Sequence, residues 1–182
     1  MALGSLSYLD KYKAAPFPPG YPADSRTFYA PVDNIRQTLV DLVASASNSL
    51  VLAMYDLDDA NLTAAVRAKL ANPNCFVQIT LDSSRAASAH EHALLVAADF
   101  PASSIAIGRS ERNAIMHLKM LIVDGLDVVT GSTNWSVSGE TMQDNQLTVT
   151  RNALVAAEAR SRIDAIHTHM LQAAAATPLT PN

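Results

Sequence analysis

Cysteine is nearly missing from this chain of 182 residues: Cys75 stands alone. An internal disulfide is excluded, so the fold does not depend on an oxidising compartment. Cys75 opens the run Cys75-Phe76-Val77-Gln78-Ile79-Thr80-Leu81 and reads as a small buried hydrophobe. The alternative, a nucleophile, lacks a nearby histidine. Aromatic residues are scarce at 5%, although 49% of the chain is apolar. A sizeable core must therefore come from aliphatic side chains and closely packed, alanine-rich helices. Positive charge is also in short supply. Lys and Arg number 13 against 17 Asp and Glu, for a net charge of −4. That excludes a globally basic surface but not a local basic cleft. No run approaches the roughly 18 uninterrupted apolar residues of a membrane span, and the first residues lack the apolar centre of a secretion signal. The expectation is a soluble, cytoplasmic protein without stable membrane insertion. No internal repeat is visible.

Proline is unevenly spread. Pro16, Pro18, Pro19 and Pro22, with Gly20, forbid a regular helix in residues 1–25 and weaken any central strand. This stretch reads as an arm lying on the domain or on a partner subunit. Residues 26–176 read as one domain and 177–182 as a flexible tail.

Within the domain, hydrophobic periodicity alternates between strand and helix. Thr27 to Ala30 predicts a short strand. Pro31 then suits the first turn of a helix to about Ser47, with Ile35, Leu39, Leu42, Val43 and Ala46 inward. Ser49 to Tyr55 predicts a buried strand. Asp58 or Asp59 can cap a helix to about Ala71, with Leu62, Val66 and Leu70 inward. Phe76 to Leu81 predicts a strand, Ala87 to Asp99 a helix, and Ser104 to Ile107 a short strand. Ile115 to Val123 and Asp127 to Thr130 predict two strands joined at Asp124-Gly125, where glycine accepts positive φ. Gln146 to Thr150 is a further strand. Asn152 to about Ala175 is a long helix with Leu154, Ala157, Ile163, Ile166 and Met170 inward. The pattern predicts an α/β fold, an α-β-α sandwich around a mixed sheet, since the late hairpin argues against a purely parallel one.

Two groups of polar residues interrupt the apolar strands. His117, Lys119 and Asp124 form the first, and Gly131-Ser132-Thr133-Asn134 the second. On an extended strand, His117 and Lys119 project from the same face. An imidazole beside an ammonium suits attack on a phosphodiester: the lysine neutralises the non-bridging oxygens and favours the neutral, nucleophilic imidazole. Ser132 and Asn134 add neutral donors for phosphoryl oxygens as charge develops.

Histidine, one residue, lysine, four residues and aspartate, then six residues and Gly-Ser-x-Asn, is the signature of the phospholipase D superfamily, which this chain resembles from about Thr27 to Met170. The resemblance implies that His117 attacks phosphorus and forms a phosphohistidine. It implies phosphate binding by Lys119, Ser132 and Asn134, and bracing by Asp124. In the family's small bacterial nucleases a glutamate-asparagine pair orients the imidazole. Here Asp144-Asn145 stands near that place, with the carboxylate one methylene shorter and the loop one residue shorter, and Glu140 is the substitute. The family mechanism uses two motifs and no metal or other cofactor. A chain with one motif therefore implies a homodimer whose two His117 residues share a site, and activity that survives chelators.

Other residues point less sharply. His90 and His92, and His167 and His169, lie on predicted helices, where residues two apart diverge by about 200° and do not easily share an ion. Trp135 either stacks on a base or walls the cleft, or packs in the core. Arg85, Arg109 and Arg112 lie in polar segments expected near the site and can bind phosphate through their planar forks; the alternative is solvated surface charge. The sequence shows no exposed apolar patch of the kind a lipid-cleaving enzyme presents. The leading expectation is a homodimeric nuclease acting on nucleic acid, DNA rather than RNA. A phospholipase D or phosphatidyl-transfer enzyme acting on phospholipid is the alternative, and a non-catalytic nucleic-acid-binding relative is the third reading.

Overall fold

The computed structural model describes residues 4–86 and 104–176. The expected helix at 87–99, the His90/His92 pair and the tail at 177–182 lie outside the described residues.

Seven strands form one mixed sheet: β1 Ser25–Ala30, β2 Ser49–Met54, β3 Phe76–Asp82, β4 Ile105–Gly108, β5 Lys119–Val123, β6 Asp127–Gly131 and β7 Asn145–Arg151. Their spatial order is β1-β7-β6-β5-β2-β3-β4. β2, β3 and β4 run parallel, whereas β5 pairs antiparallel with β2, and β6, β7 and β1 follow antiparallel. This is the mixed sheet that the strand-helix alternation and late hairpin predict.

Alternation along the strands divides the core in two. Leu50, Leu52 and Met54 of β2 join Leu121 and Val123 of β5 on one face, under helices α1 (Ile35–Ser45) and α2 (Ala60–Leu70). Val51, Ala53 and Ile122 point the other way, against the long helix at Ala153–Ala176. The sandwich thus follows from the two sides of each strand having separate partners. Two short helices, α3 (Ser83–Ala86) and α4 (Val137–Thr141), lie in loops, so the long terminal helix is α5.

Most predicted elements stand where the periodicity placed them, with instructive exceptions. Pro31 does not open α1. Asn34 does, its side chain accepting the Gln37 amide at 3.1 Å. Asp33 is occupied instead with the backbone before the helix, taking the amides of Tyr29 and Ala14. Asp59, rather than Asp58, caps α2. On α5, Leu154 is 83% exposed and Ala157 is also exposed; the buried stripe is Ala156, Ile163, Ile166 and Met170. Leu154 and Ala156 are two residues apart on a helix, hence on nearly opposite sides, and the first turn of α5 presents Ala156 to the sheet.

The arm packs on the domain. Leu6 and Leu9 lie three apart on a 3-10 helix, Leu6–Tyr12, and both are fully buried in the α1/α2-side core. Each side chain contributes on the order of 2 kcal/mol by burial. Two ion pairs tie the following chain down: Lys13 to Asp33 at 2.7 Å and Arg26 to Asp10 at 2.6 Å.

Candidate active site

The strand directions bring one set of loops to one end of the sheet. The C-terminal ends of β2, β3, β4 and β6 lie there, with the N-terminal ends of β5 and β7. Tyr55 and Asp56 follow β2, Asp82 ends β3, His117 precedes β5, and Ser132 and Asn134 follow β6. Polar groups beyond the carboxyl ends of strands are where α/β sheets build sites.

His117 itself is not in the ladder. The strand expected over Ile115 to Val123 is regular only from Lys119 onward, because its partner β2 ends at Met54, opposite Lys119. One further bond continues the pairing, from the Tyr55 amide to the Leu118 carbonyl at 3.0 Å. The side chains of His117 and Lys119 nevertheless reach one aromatic ring. The His117 imidazole meets Tyr55 edge-on at 4.7 Å between centroids, and Lys119 Nζ lies 4.9 Å from the same ring. Lys119 Nζ also donates to the His117 carbonyl at 3.2 Å. Lys119 is buried, and that desolvation lowers its pKa against the raising influence of Asp56. A desolvated ammonium is a stronger electrostatic partner for a phosphoryl oxygen than a hydrated one.

A cleft of about 550 Å³ adjoins this pair, with Tyr55, Asp56, Arg85, Asn134 and Val137 among its walls. Arg85 is the one of the three arginines that borders it. Its guanidinium makes a two-pronged contact with Asp56, at 3.2 and 3.1 Å. Arg109 follows edge strand β4 and lines a separate depression with His169. Arg112 is exposed in the loop beyond.

Asn134 is held from behind. Any side chain at Gly139 would come within 2.6 Å of the Asn134 carbonyl oxygen, so α4 sits directly on this segment. Gly131 has an even stricter reason to be glycine: its φ is +155°, and an added Cβ would stand 2.0 Å from the Gln146 carbonyl oxygen. Ser132 is turned toward β7. Its hydroxyl donates to Asn145 Oδ1 at 2.8 Å and accepts the Gln146 amide at 3.0 Å. It shares a second depression with Tyr29, Val32 and Asp144, apart from the Asn134 cleft.

The structure narrows the roles of three further residues named from the sequence. Trp135 is 1% exposed and lies in the core, which removes it from any stacking role. Its backbone instead receives the amides of Asp58 and Asp59 and donates to the Asp56 carbonyl. Asp124 stands at the opposite end of β5 from His117, so it is not among the reacting groups. Its carboxylate accepts the amides of Ser47, Asn48 and Ser49. Burial alone would raise its pKa, but these amides outweigh that effect and hold it below the ordinary value. Finally, Glu140 is buried against Arg36, whose Nε lies 2.9 Å from both Glu140 and Asp59. Burial, with the Asp59 carboxylate next to it, pushes the Glu140 pKa up to about 8 despite Arg36. Among the described residues, neither Glu140 nor the exposed Asp144 hydrogen-bonds the His117 imidazole.

The sequence reading missed Tyr55 and Asp56, and placed Asp82 only within the polar segment Asp82-Ser83-Ser84-Arg85 expected near the site. All three end or follow apolar strands, and that position was the available signal. The remaining histidine pair on α5 diverges as helix geometry requires: His167 is buried against Thr80 at 2.9 Å, while His169 faces the Arg109 depression. Among the described residues no group of three or more His, Cys, Asp or Glu side chains converges to hold a metal.

A mixed seven-stranded sheet with the histidine, lysine and asparagine gathered at one end is the phospholipase D-like phosphodiesterase fold. The chain belongs to the family described as cardiolipin synthase, PLD-like domain, whose model matches residues 39–167. No curated protein matches the sequence. Among solved structures it is similar to NucT from Helicobacter pylori, at 21% identity and a TM-score of 0.68, covering 78% of this chain and 94% of that one. Nuc from Salmonella typhimurium, a phospholipase D family member, gives 23% identity and a TM-score of 0.66, covering 78% and 92%. Phosphatidylserine synthase from Haemophilus influenzae gives 11% identity and a TM-score of 0.57, covering 79% of this chain but 38% of that one. Among the described residues no helix is long and apolar enough to cross a membrane.

Proposed function

We propose that this chain is a metal-independent nuclease that cleaves DNA phosphodiester bonds as a homodimer. The observation that carries the reading is the packing of His117 and Lys119 on one ring, Tyr55, which also walls the cleft holding Asn134. His117 would form a bond to phosphorus as the bond to the leaving oxygen breaks. His117 of the partner subunit would protonate that oxygen, then take a proton from the water that hydrolyses the phosphohistidine. Lys119 and Asn134 would hold the non-bridging oxygens.

Two observations support the dimer. The chain carries one motif, and it covers nearly all of Nuc and NucT but little more than a third of the phosphatidylserine synthase. Val137, in the wall of the cleft, is 53% exposed, and Met142, next in sequence to the cleft residue Gln143, is 73% exposed. Val32 is exposed in two depressions apart from that cleft. These apolar side chains suit burial against a second copy.

They also favour the second reading, because the same rim would suit a lipid interface, and the sequence alone had shown no such patch. Labelled single-stranded DNA incubated with the protein in EDTA separates the readings. Cleavage is expected, with loss in the His117→Ala variant. Release of headgroup from phospholipid vesicles without DNA cleavage would establish the lipid reading instead. DNA binding without cleavage would mark a non-catalytic relative.

A further inference from the structure

His117 stands two residues before β5 begins, outside the regular ladder. A nucleophile must be held within a fraction of an ångström of its attack line, so something other than sheet pairing has to fix this backbone. On the C-terminal side of His117, the Leu118 carbonyl is held by the Tyr55 amide. On the N-terminal side the hold comes from a side chain. Asp82 ends β3 and is completely buried. Its Oδ2 accepts the Met116 amide at 2.6 Å, and its Oδ1 accepts the Ser84 amide at 2.9 Å together with the Ser84 hydroxyl.

We propose that Asp82 is the positioning residue of His117: its carboxylate clamps the peptide immediately before the nucleophile and fixes where the imidazole stands. The proposal rests on the phosphodiesterase reading of His117. A carboxylate is the side chain this place requires. Two backbone amides and a hydroxyl converge on it, and only an acceptor with two oxygens serves all three from one short stem. The Met116 side chain is buried in the α5-side core, so the clamp and the core grip the same residue. The clamp also couples two loops at the site. The Ser83–Ala86 helix that follows Asp82 carries Arg85, which grips Asp56 beside Lys119. β3 thereby braces the histidine through Asp82 and the lysine side through Arg85.

The test is the Asp82→Asn variant. Asparagine has one acceptor oxygen for the two amides, so the clamp is weakened without a change of shape. With labelled single-stranded DNA in EDTA, kcat is expected to fall about 30-fold, or about 2 kcal/mol at 1.36 kcal/mol per decade. KM is expected to stay within about twofold, since Asp82 does not touch substrate. The His117 ring resonance, assigned by its loss in His117→Ala, is expected to shift or broaden in Asp82→Asn. Ser84→Ala loses only a hydroxyl on the same carboxylate and is expected to leave both readouts unchanged.

A kcat within about twofold of the parent chain would overturn the proposal. So would a fall in kcat with the ring resonance unmoved, or an equal fall in Ser84→Ala. If the parent chain cleaves no DNA, the nuclease reading fails separately and the ring resonance alone decides the positioning role. If Asp82→Asn does not fold, amide exchange in the parent chain decides: the Met116 amide is expected to be protected although it lies outside the ladder. Exchange there as fast as at Ile115 would overturn the clamp.

Discussion

At the scale of single residues, the second half of the signature does structural work. Gly131 combines a backbone conformation that other residues rarely adopt with a 2.0 Å approach of its absent Cβ to the Gln146 carbonyl. Gly131→Ala is therefore expected to lower stability by roughly 2–4 kcal/mol, as forced backbone shifts do. Chemical denaturation would show this as a reduced midpoint, and an unchanged midpoint would mean that β7 moves away cheaply. Glu140 makes a different prediction. Its pKa is raised from the ordinary 4.5 to about 8, so the folded state holds a proton that the unfolded chain releases. Its contribution to stability is complete below about pH 4.5 and is lost as pH rises through about 8. Glu140→Gln keeps the shape and removes the titration. Its Tm is expected to decline less than that of the parent chain between these limits, and identical pH profiles would refute the assignment.

At the scale of elements, the sequence made β2 and β3 legible because each is an apolar run bounded by polar or turn residues, and both are buried on two faces. The hairpin at Asp124-Gly125 was equally plain: both residues have positive φ, at 51° and 64°, and the Leu126 amide closes the turn on the Val123 carbonyl. The start of β5 was not legible. Ile115 to Leu118 has the composition of a strand, but the length of the neighbouring strand decides where pairing stops, and that is a property of another segment. The inner face of α5 was misjudged at Leu154 for a similar reason, since periodicity gives the angle between residues but not which turn first meets the sheet. The site followed the same rule. His117, Lys119 and Asn134 stood out through a fixed spacing, whereas Tyr55 and Asp56 come from a distant strand and meet them only through the sheet order. The prolines of the arm describe residues 16–22 and gave no sign of Leu6 and Leu9, upstream of them, which anchor it on the domain.

At the scale of the whole molecule, the decisive property is that one chain presents half of the proposed reaction. The exposed side chains of Val137 and Met142 flank that half. Met142→Asp places a charge on the rim without altering the cleft's polar groups. It is expected to convert dimer to monomer in sedimentation and to abolish turnover together with the dimer. A monomeric variant with full activity would remove the shared-site mechanism. The net charge of −4 adds a further expectation. Attraction to DNA phosphates would be confined to the cleft rather than spread over the surface, so binding should weaken with salt less steeply than it does for a globally basic protein.

The position of Asp124, at the far end of β5 from His117, divides the signature between two kinds of selection. Its carboxylate gathers the amides of Ser47, Asn48 and Ser49 and so serves the scaffold whether or not anything is hydrolysed. In a lineage that gave up turnover, His117 and Lys119 would be free to drift while Asp124 stayed fixed. A descendant that keeps the aspartate and the glycine but varies the histidine would therefore record, in its own genealogy, the loss of the reaction and the survival of the fold.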